Sequence, residues 1–417
     1  MKKKDKENLN VIEDTEEITN IIVNRALEEF DEDDGTMEEI AERIRKHKRR
    51  FRIKVLLIIS AFLFVSIGSF LLIYLQTYTE VRVVDTRKSG DSDNNNYRQF
   101  ADGVLKYSRD GVALLNRKGE EVWNQPYQIK SPMVEIYKES GAIADKGGND
   151  VVVFDKKGWR GEIHTDYPIE KIAVSARGIV SMILKNENSP KIVCYDAAGN
   201  LLVELKTSFT GTGYPMDLGI SEDGKLLLVT YMCVQDGVVT SKINYYNFDG
   251  EKETSKDYEV LEEIYKDMIA PTAFFLNDSV SVVAGSNKLL FYKGKETPVL
   301  AQTVTLNKQI KSVFHSNRYV GLVLKNEGKA GYELCLYNAS GKKLMSQDFT
   351  GDYSNIKIDG SQVILYDGKK CSIFSRTGIH KFEGEMSHNI LEIFPMAGVN
   401  KYIVMNANGM EVVRLVK

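Results

Sequence analysis

The stretch from Asp91 to Asp102 carries the residue types and spacing closest to a metal site. In "DSDNNNYRQFAD", Asp91, Asp93, Asn95 and Asp102 occupy positions 1, 3, 5 and 12 of a calcium-loop pattern. Position 6, usually glycine, is Asn96, and position 12 is Asp rather than a bidentate Glu. No helical pattern flanks the loop, so the preferred interpretation is a solvated spacer, with a weak calcium site as the alternative.

Histidines and cysteines give no recognisable catalytic or metal motif. The chain has five histidines, and none belongs to a pattern such as H-E-x-x-H. The four cysteines lie inside apolar strand patterns without a C-x-x-C pair: Cys194, Cys233, Cys335 and Cys371. We expect them to be small buried side chains, with a disulfide as the alternative. The sequence therefore predicts no enzymatic activity, no cofactor and no metal.

An uncharged run covers Val55 to Leu75, "VLLIISAFLFVSIGSFLLIYL". As a helix, at ~1.5 Å per residue, it would reach roughly 31 Å, which matches the hydrocarbon core of a bilayer. About fifty polar residues precede it and no small-residue cleavage site follows, unlike a cleaved signal peptide. We predict an uncleaved transmembrane helix over residues 55–75.

Charge on either side of this run predicts the orientation. Residues 1–40 carry 14 acidic and 5 basic side chains. Eight basic side chains then abut the run: Arg43, Arg45, Lys46, Lys48, Arg49, Arg50, Arg52 and Lys54. Because basic residues stay on the cytoplasmic side, residues 1–54 should lie inside the cell and residues beyond the span outside. A basic run can also bind nucleic acid, but beside a span its topological role is favoured and no nucleic-acid partner is expected.

The cytoplasmic tail predicts two short amphipathic helices, one over residues 14–30 and one starting at Thr36 with Glu39 as a capping box. An acidic break separates them. Two such helices cannot bury a core alone. Residues 14–50 therefore form either a docking segment for a cytoplasmic protein or a loosely ordered spacer.

A short phrase recurs along the remaining chain: an aromatic residue or Leu, usually Asp or Asn, two variable residues, and Gly. Its copies start at Leu115, Phe154, Tyr195, Tyr246, Tyr337 and Phe374, with a degenerate copy at Tyr292. Asp or Asn can hydrogen-bond the backbone two residues on, and Gly supplies a positive φ, so each copy predicts a tight hairpin. The residues before each copy are β-branched and aromatic, which favours strands.

Repeats of about 43 residues with several short strands each are typical of β-propeller blades. Eight units start near Tyr97, Pro132, Ile169, Tyr214, Ile269, Lys308, Tyr353 and Ser387. We predict an all-β, seven- or eight-bladed propeller over residues 97–417, with eight preferred and seven if the weak region 269–303 departs from the pattern. Residues 76–96 supply a linker and a strand, Thr79–Arg87, predicted to pair with Met410–Lys417 and remove an exposed sheet edge.

Several motifs resemble known propeller families. "ADGVLKYSRDGVALLNRKGEEVWNQP", which carries Trp123, resembles a blade of the PQQ-like, tryptophan-docking β-propellers, and "GISEDGKLLLV" resembles a turn of WD40-like and TolB-like propellers. The whole arrangement resembles a domain family of unknown function in Gram-positive bacteria with one N-terminal span and an extracellular propeller. Quinoprotein dehydrogenases of the same class would imply a cofactor, calcium and a catalytic Asp, but the vicinal cysteine pair usual in them is missing here.

The connections between blades are the candidate binding surface, because they gather at one end of a propeller channel. Three carry a tyrosine beside proline: Tyr127, Tyr167 and Tyr214. Tyrosine is enriched in binding hot spots, and the alternative, which is the favoured interpretation, is that tyrosine and proline fix the angle at which each blade starts. We predict a single-pass cell-membrane protein whose extracellular propeller binds a protein or cell-envelope ligand. The alternatives are a transmembrane sensor whose tail recruits a cytosolic partner and, less favoured, an envelope enzyme.

Overall fold

The computed structural model describes residues 37–88, 94–187, 189–235, 237–250, 258–398 and 400–417. The chain divides into two compact units, Met1–Tyr74 and Leu75–Lys417. The predicted helix over residues 14–30 lies outside the described residues.

Helix α1 (Met37–Leu75) runs through the basic cluster and the apolar run without a break. The second short helix of the tail and the predicted span are thus parts of one helix. Its section Ala41–Leu72 is long and apolar enough to cross a membrane, judged by length and composition. Large apolar side chains stand almost fully exposed along it, including Phe62 at 77%, Phe64 at 79% and Leu72 at 75%.

The described strands form eight four-stranded antiparallel sheets, which are the blades of an eight-bladed β-propeller. The first strand, β1 (Glu80–Lys88), belongs to blade 8. Blade 1 consists of β2 (Asn96–Phe100), β3 (Gly103–Tyr107), β4 (Gly111–Leu115) and β5 (Glu121–Pro126), and blade 2 consists of β6 (Pro132–Tyr137), β7 (Ser140–Asp145), β8 (Asp150–Asp155) and β9 (Gly158–His164). Blade 3 consists of β10 (Ile169–Val174), β11 (Val180–Leu184), β12 (Lys191–Tyr195) and β13 (Leu201–Lys206), and blade 4 consists of β14 (Tyr214–Ile220), β15 (Leu226–Gln235), β16 (Val238–Asn247) and β17 (Glu259–Tyr265).

Blades 5 to 8 follow the same order. Blade 5 consists of β18 (Thr272–Asn277), β19 (Val280–Ala284), β20 (Lys288–Lys293) and β21 (Val299–Thr305), and blade 6 consists of β22 (Ile310–His315), β23 (Tyr319–Lys325), β24 (Tyr332–Asn338) and β25 (Lys343–Phe349). Blade 7 consists of β26 (Asn355–Asp359), β27 (Gln362–Asp367), β28 (Lys370–Ser375) and β29 (His380–Glu385), and blade 8 consists of β30 (Glu392–Pro395), β31 (Lys401–Asn406), β32 (Gly409–Val416) and β1. The region 269–303, whose pattern is weak, forms nearly all of a complete blade 5 (residues 272–305), so the preferred count of eight is confirmed.

The ring closes by pairing the two ends of the propeller sequence. Strand β1 lies antiparallel to β32, with Glu80 opposite Val416 and Lys88 opposite Gly409. The predicted closing strand is therefore confirmed. Just before it, the N–H of Tyr78 donates to the carbonyl of Lys381 at 2.8 Å, and its ring is 7% exposed. Because Lys381 belongs to blade 7, the segment that enters blade 8 also binds its neighbour.

The recurring phrase forms the turn between the third and fourth strands. At Asp196, Oδ1 accepts the N–H groups of Ala198 at 2.9 Å and Asn200 at 2.8 Å. Gly199 closes this turn with φ of 88°, a conformation that side chains with a Cβ rarely adopt. The hairpin interpretation of the repeat is confirmed.

Neighbouring blades contact each other where the fourth strand of one blade crosses the turn between the third and fourth strands of the next blade. Trp123 of blade 1 donates its indole N–H to the carbonyl of Lys156 at 3.2 Å, and its ring centroid lies 5.7 Å from that of Phe154. A Cβ on Gly158 would lie 3.8 Å from the indole, in ordinary contact. The Trp123 side chain thus joins blade 1 to blade 2. The four cysteines are free and buried inside the blades.

The closing register can be tested with one disulfide. Arg82 and Arg414 are exposed and directly opposite, so the variant Arg82→Cys/Arg414→Cys should oxidise and stabilise the fold by ~2–4 kcal/mol. The matched control Glu80→Cys/Arg414→Cys is displaced by two residues, about 7–8 Å, and should stay reduced. Non-reducing gels and urea unfolding measure both effects. Equal oxidation of the two variants would contradict the register.

The two tryptophans provide a matched test of blade docking. Trp123→Ala removes the contact with blade 2 and should destabilise the protein by ~2–3 kcal/mol. Trp159 is 53% exposed, so Trp159→Ala should cost about 0.5 kcal/mol or less. Urea unfolding of both variants checks this, and equal losses would show that Trp123 does not join the blades.

Candidate functional site: the mouth of the central channel

The direction of the strands defines two faces of the propeller. The first strands of neighbouring blades pack against each other around the axis. All of them start on the same face, together with the connections between blades, such as residues 207–213 and 350–354. We call this the connection face. The opposite turn face carries the turns between first and second strands and between third and fourth strands.

A cavity of about 720 Å³ opens on the connection face. Four first strands reach it from blades 1, 6, 7 and 8 through Asn96, Lys311, Asn355 and Glu392. Connection 350–354 supplies its outer rim. We call this cavity the channel mouth. Most residues that line the channel mouth lie on β-strands. The regular blades of the propeller therefore position the site.

Aromatic rings form one wall of the channel mouth, between blades 6 and 7. The ring centroids of Tyr332 and Phe349 lie 5.6 Å apart, and those of Phe349 and Tyr353 lie 6.0 Å apart. The Tyr332 hydroxyl donates to Asp352 Oδ1 at 3.3 Å. All three rings are half-buried, so each offers part of its surface to a ligand.

Charged side chains lie at the axial end of the channel mouth. Lys357 Nζ donates to Glu392 Oε1 at 2.5 Å, and Glu392 is only 5% exposed. Burial lowers the pKa of Arg98, but its hydrogen-bond partner Tyr107 and the carboxylates of Glu135 and Glu392 outweigh this and raise the pKa. Lys311 is exposed, and no acidic residue in the described part of the chain lies within ion-pair distance of it.

On the first strands of blades 2 to 4, oppositely charged side chains lie next to each other. Lys171 of blade 3 lies 3.4 Å from Asp217 of blade 4, whose Oδ2 accepts the N–H of Ala273 of blade 5 at 3.0 Å. Glu135 of blade 2 lies near both Arg98 and Lys171. Glu135 is exposed to the open channel, but the protein atoms that surround it there raise the pKa of its carboxyl to about 7, and the two cations only partly oppose this.

Each of the three tyrosines singled out in the sequence lies on the connection face and is half-buried. The Tyr127 hydroxyl donates to the Ser108 carbonyl at 3.0 Å, and Lys191 Nζ lies 5.0 Å from the centroid of Tyr167. The Tyr214 hydroxyl donates to Glu170 Oε2 at 2.6 Å; burial and this bond raise its pKa to about 12. These residues belong to blades 1 to 4, and none of them lines the channel mouth.

Sequence reasoning missed the aromatic wall. Tyr353 lies in the connection "TGDYS". This connection has no proline, so it lacks the pair of tyrosine and proline that marks the other three connections. Tyr332 and Phe349 lie at strand ends and meet only through the register of β24 and β25, where they are directly paired. Listing every aromatic residue in a connection would have found Tyr353.

The structure describes two members of the calcium candidate. Asn95 lines the channel mouth, and Asp102 lies beyond the other end of β2, with Oδ1 3.7 Å from Arg117. Asp91 and Asp93 lie outside the described residues. Among the described residues, no three His, Cys, Asp or Glu side chains come together to hold a metal ion.

A serine and a histidine meet on the third and fourth strands of blade 7. Ser372 Oγ lies 3.0 Å from His380 Nε2, and Glu383 Oε2 lies 3.8 Å from the same nitrogen. A hydrolase triad needs the acid on the other ring nitrogen, where it fixes the tautomer. Ser372 is also only 3% exposed. This cluster is therefore not arranged as a triad.

Glu135 should make stability depend on pH. Its folded-state pKa of about 7 exceeds the ordinary value of 4.5, so between these values the folded protein binds more protons than the unfolded chain. Its contribution to stability is thus full below pH 4.5 and lost as the pH rises through 7.

Glu135→Gln removes this titration. The melting temperature of the variant relative to the natural chain should rise when the pH increases from about 5 to about 8. Thermal melts at several pH values measure it. If the difference in melting temperature between the variant and the natural chain does not change with pH, the raised pKa of Glu135 is contradicted.

Comparisons with known proteins place the chain in a family. It belongs to DUF5711, a family of unknown function whose profile matches residues 74–415. None of the curated proteins compared with the sequence matches it. Among solved structures, it is similar to Sqt1 of Saccharomyces cerevisiae, with 14% identity over 82% of this chain and 100% of that one and a TM-score of 0.50. It is also similar to BamB of Moraxella catarrhalis, with 14% identity over 80% and 99% and a TM-score of 0.46. These likenesses concern the fold alone.

Proposed function

We propose that this member of the DUF5711 family is a membrane-anchored binding module whose channel mouth holds a protein or cell-envelope ligand without changing it chemically. The observation that carries the proposal is the open cavity of about 720 Å³ built on the first strands of four blades. A site on such strands is preorganised, so little conformational entropy is lost when a ligand binds. Tyr127, Tyr167 and Tyr214, on the same face, would extend the contact with a large partner.

The proposed anchoring is supported by α1, whose exposed apolar surface suits a bilayer. The eight basic residues before residue 55 favour a cytoplasmic N-terminus and an extracellular propeller. Within the propeller unit, the segment just before β1 lies on the turn face. Thr77 Oγ1 donates to the carbonyl of His380, the first residue of the fourth strand of blade 7, at 2.8 Å. The channel mouth is on the other face of the propeller.

Engineered cysteines test this orientation, because the four natural thiols are buried. Lys157 and Glu42 are both exposed, the first in a turn of blade 2 and the second before the basic cluster. In intact cells, a membrane-impermeant maleimide should label Lys157→Cys and leave Glu42→Cys unlabelled until the membrane is permeabilised. The reverse pattern, or equal labelling, would reject the orientation.

Binding at the channel mouth can be tested by photocrosslinking in intact cells. A photoreactive amino acid at Asn355, which is exposed in the channel mouth, should give a discrete adduct. The same amino acid at Asn124, exposed on the fourth strand of blade 1, is the matched control and should give none. Adding Tyr353→Ala should reduce the Asn355 adduct without lowering the melting temperature by more than a few degrees.

Two results would count against the proposal. One is equal capture at Asn355 and Asn124, and the other is no adduct at Asn355. Release of a chemically altered ligand from the adduct would favour an enzyme instead.

A further inference from the structure

The outer edge of blade 5 differs from the outer edges of the other blades. In each blade, the fourth strand is paired on one side only within the part of the chain that the structure describes. In blade 5 this strand is β21, with the sequence "VLAQTVT". We infer that β21 pairs in antiparallel fashion with β21 of a second copy of this protein, which joins the two blades into one continuous sheet. None of the β21 residues lines the channel mouth, so this interface is separate from it.

The absence of charge distinguishes β21. The fourth strands of the other seven blades all carry charged side chains, as β17 does with Glu259, Glu262 and Glu263. Strand β21 carries none, and it contains neither proline nor glycine. Its side chains are exposed apart from the half-buried Val304. Because charged residues and proline on an edge strand hinder pairing with another chain, the edge of blade 5 lacks the protection that the other edges have.

A bulge does not replace this protection. Bulges can also prevent pairing at an edge, and β21 has one at Ala301, between Leu300 opposite Tyr292 and Gln302 opposite Phe291. The fourth strand of every other blade has a similar irregularity in its register with the third strand. The bulge is therefore common to all blades, and the missing charge is particular to blade 5.

The outer side of β21 presents backbone groups with which a further strand can pair. Leu306 donates its N–H to the carbonyl of Asn287 at 2.8 Å, which makes these two residues a hydrogen-bonded pair. Hydrogen-bonded and non-hydrogen-bonded pairs alternate along an antiparallel ladder, so Thr303 and Thr305 direct their N–H and C=O groups away from β20. The side-chain amide of Gln302 donates to the Thr303 carbonyl at 3.1 Å, as expected for a carbonyl that β20 does not use.

The chemistry of this edge fits a second copy of the chain. An uncharged edge suits an uncharged extended strand, and each copy supplies one. Antiparallel pairing about a two-fold axis would place Thr303 opposite Thr303 and Ala301 opposite Thr305, with no like charges facing each other; Thr–Thr pairs across strands are favourable. The same pairing of β17 would bring the glutamates of two copies together. Two-fold dimers, in which both copies use the same surface, are the commonest protein oligomers.

Engineered cysteines test this pairing in membranes that contain the full chain. Thr303→Cys should give a disulfide-linked dimer on mild oxidation, because Cα atoms of a hydrogen-bonded pair lie about 5.5 Å apart, within disulfide range. Val299→Cys is the matched control, since Val299 is on the same strand and is 62% exposed. The two-fold pairing would separate its two copies by roughly 26 Å along the strand, so it should stay monomeric. The four natural thiols are buried, and non-reducing gels measure the dimer.

A charge placed on the edge gives a second test, without cysteine. Thr303→Lys would bring two ammonium groups together at the two-fold axis and should weaken dimerisation about tenfold. Asn124→Lys changes the equivalent position of β5, which is also exposed, and should leave dimerisation unchanged. Light scattering of the full chain in neutral detergent micelles over a dilution series gives the dimer Kd. Thermal melts confirm that both variants are folded.

Three results would overturn the inference. They are a natural chain that stays monomeric throughout the dilution series, equal crosslinking of Thr303→Cys and Val299→Cys, and equal dimer Kd values for Thr303→Lys and Asn124→Lys. None of these experiments involves the channel mouth. The adduct at Asn355 tests the proposed function separately, so failure of the dimer would leave that function standing.

Discussion

The propeller depends on one antiparallel pairing, between β1 at its beginning and β32 at its end. Seven blades take their four strands from consecutive sequence, but blade 8 is completed only when residues more than three hundred positions apart meet. Without that pairing, blade 8 has three strands, and β1 presents unpaired backbone groups. Tyr78 adds a second attachment, because its backbone binds blade 7 before the chain reaches blade 8.

Closure also fixes the site. The channel mouth takes its walls from blades 6, 7, 8 and 1, so the closing seam runs through the group of blades that forms it. Arg98 of blade 1 and Glu392 of blade 8 influence each other only because the ring brings these blades together. Several charges around the channel compensate one another between neighbouring blades, as Lys171 does with Asp217 and Lys357 with Glu392.

Much of the fold could be predicted because its signals are local. The turn phrase requires Asp or Asn and Gly at fixed offsets, so it revealed the hairpins, and all eight blade starts fell within five residues of the first strands. Closure followed from an unassigned strand at one end and a missing strand at the other. The channel mouth was not predictable: Arg98, Lys311 and Lys357 are separated by long stretches of sequence, and only the curvature of the ring brings them together. The unbroken α1 was also missed, because the capping box at Thr36 and the change in composition at residue 55 suggested two elements.

Hydrogen–deuterium exchange of the full chain, compared with a chain that ends at Asn408 and so lacks β32, tests the central claim most directly. If closure holds the ring together, removal of β32 will accelerate exchange throughout the propeller, including blades 3 to 5, which are far from the seam. Faster exchange confined to β1 and β31, with the other blades as protected as before, would contradict this account.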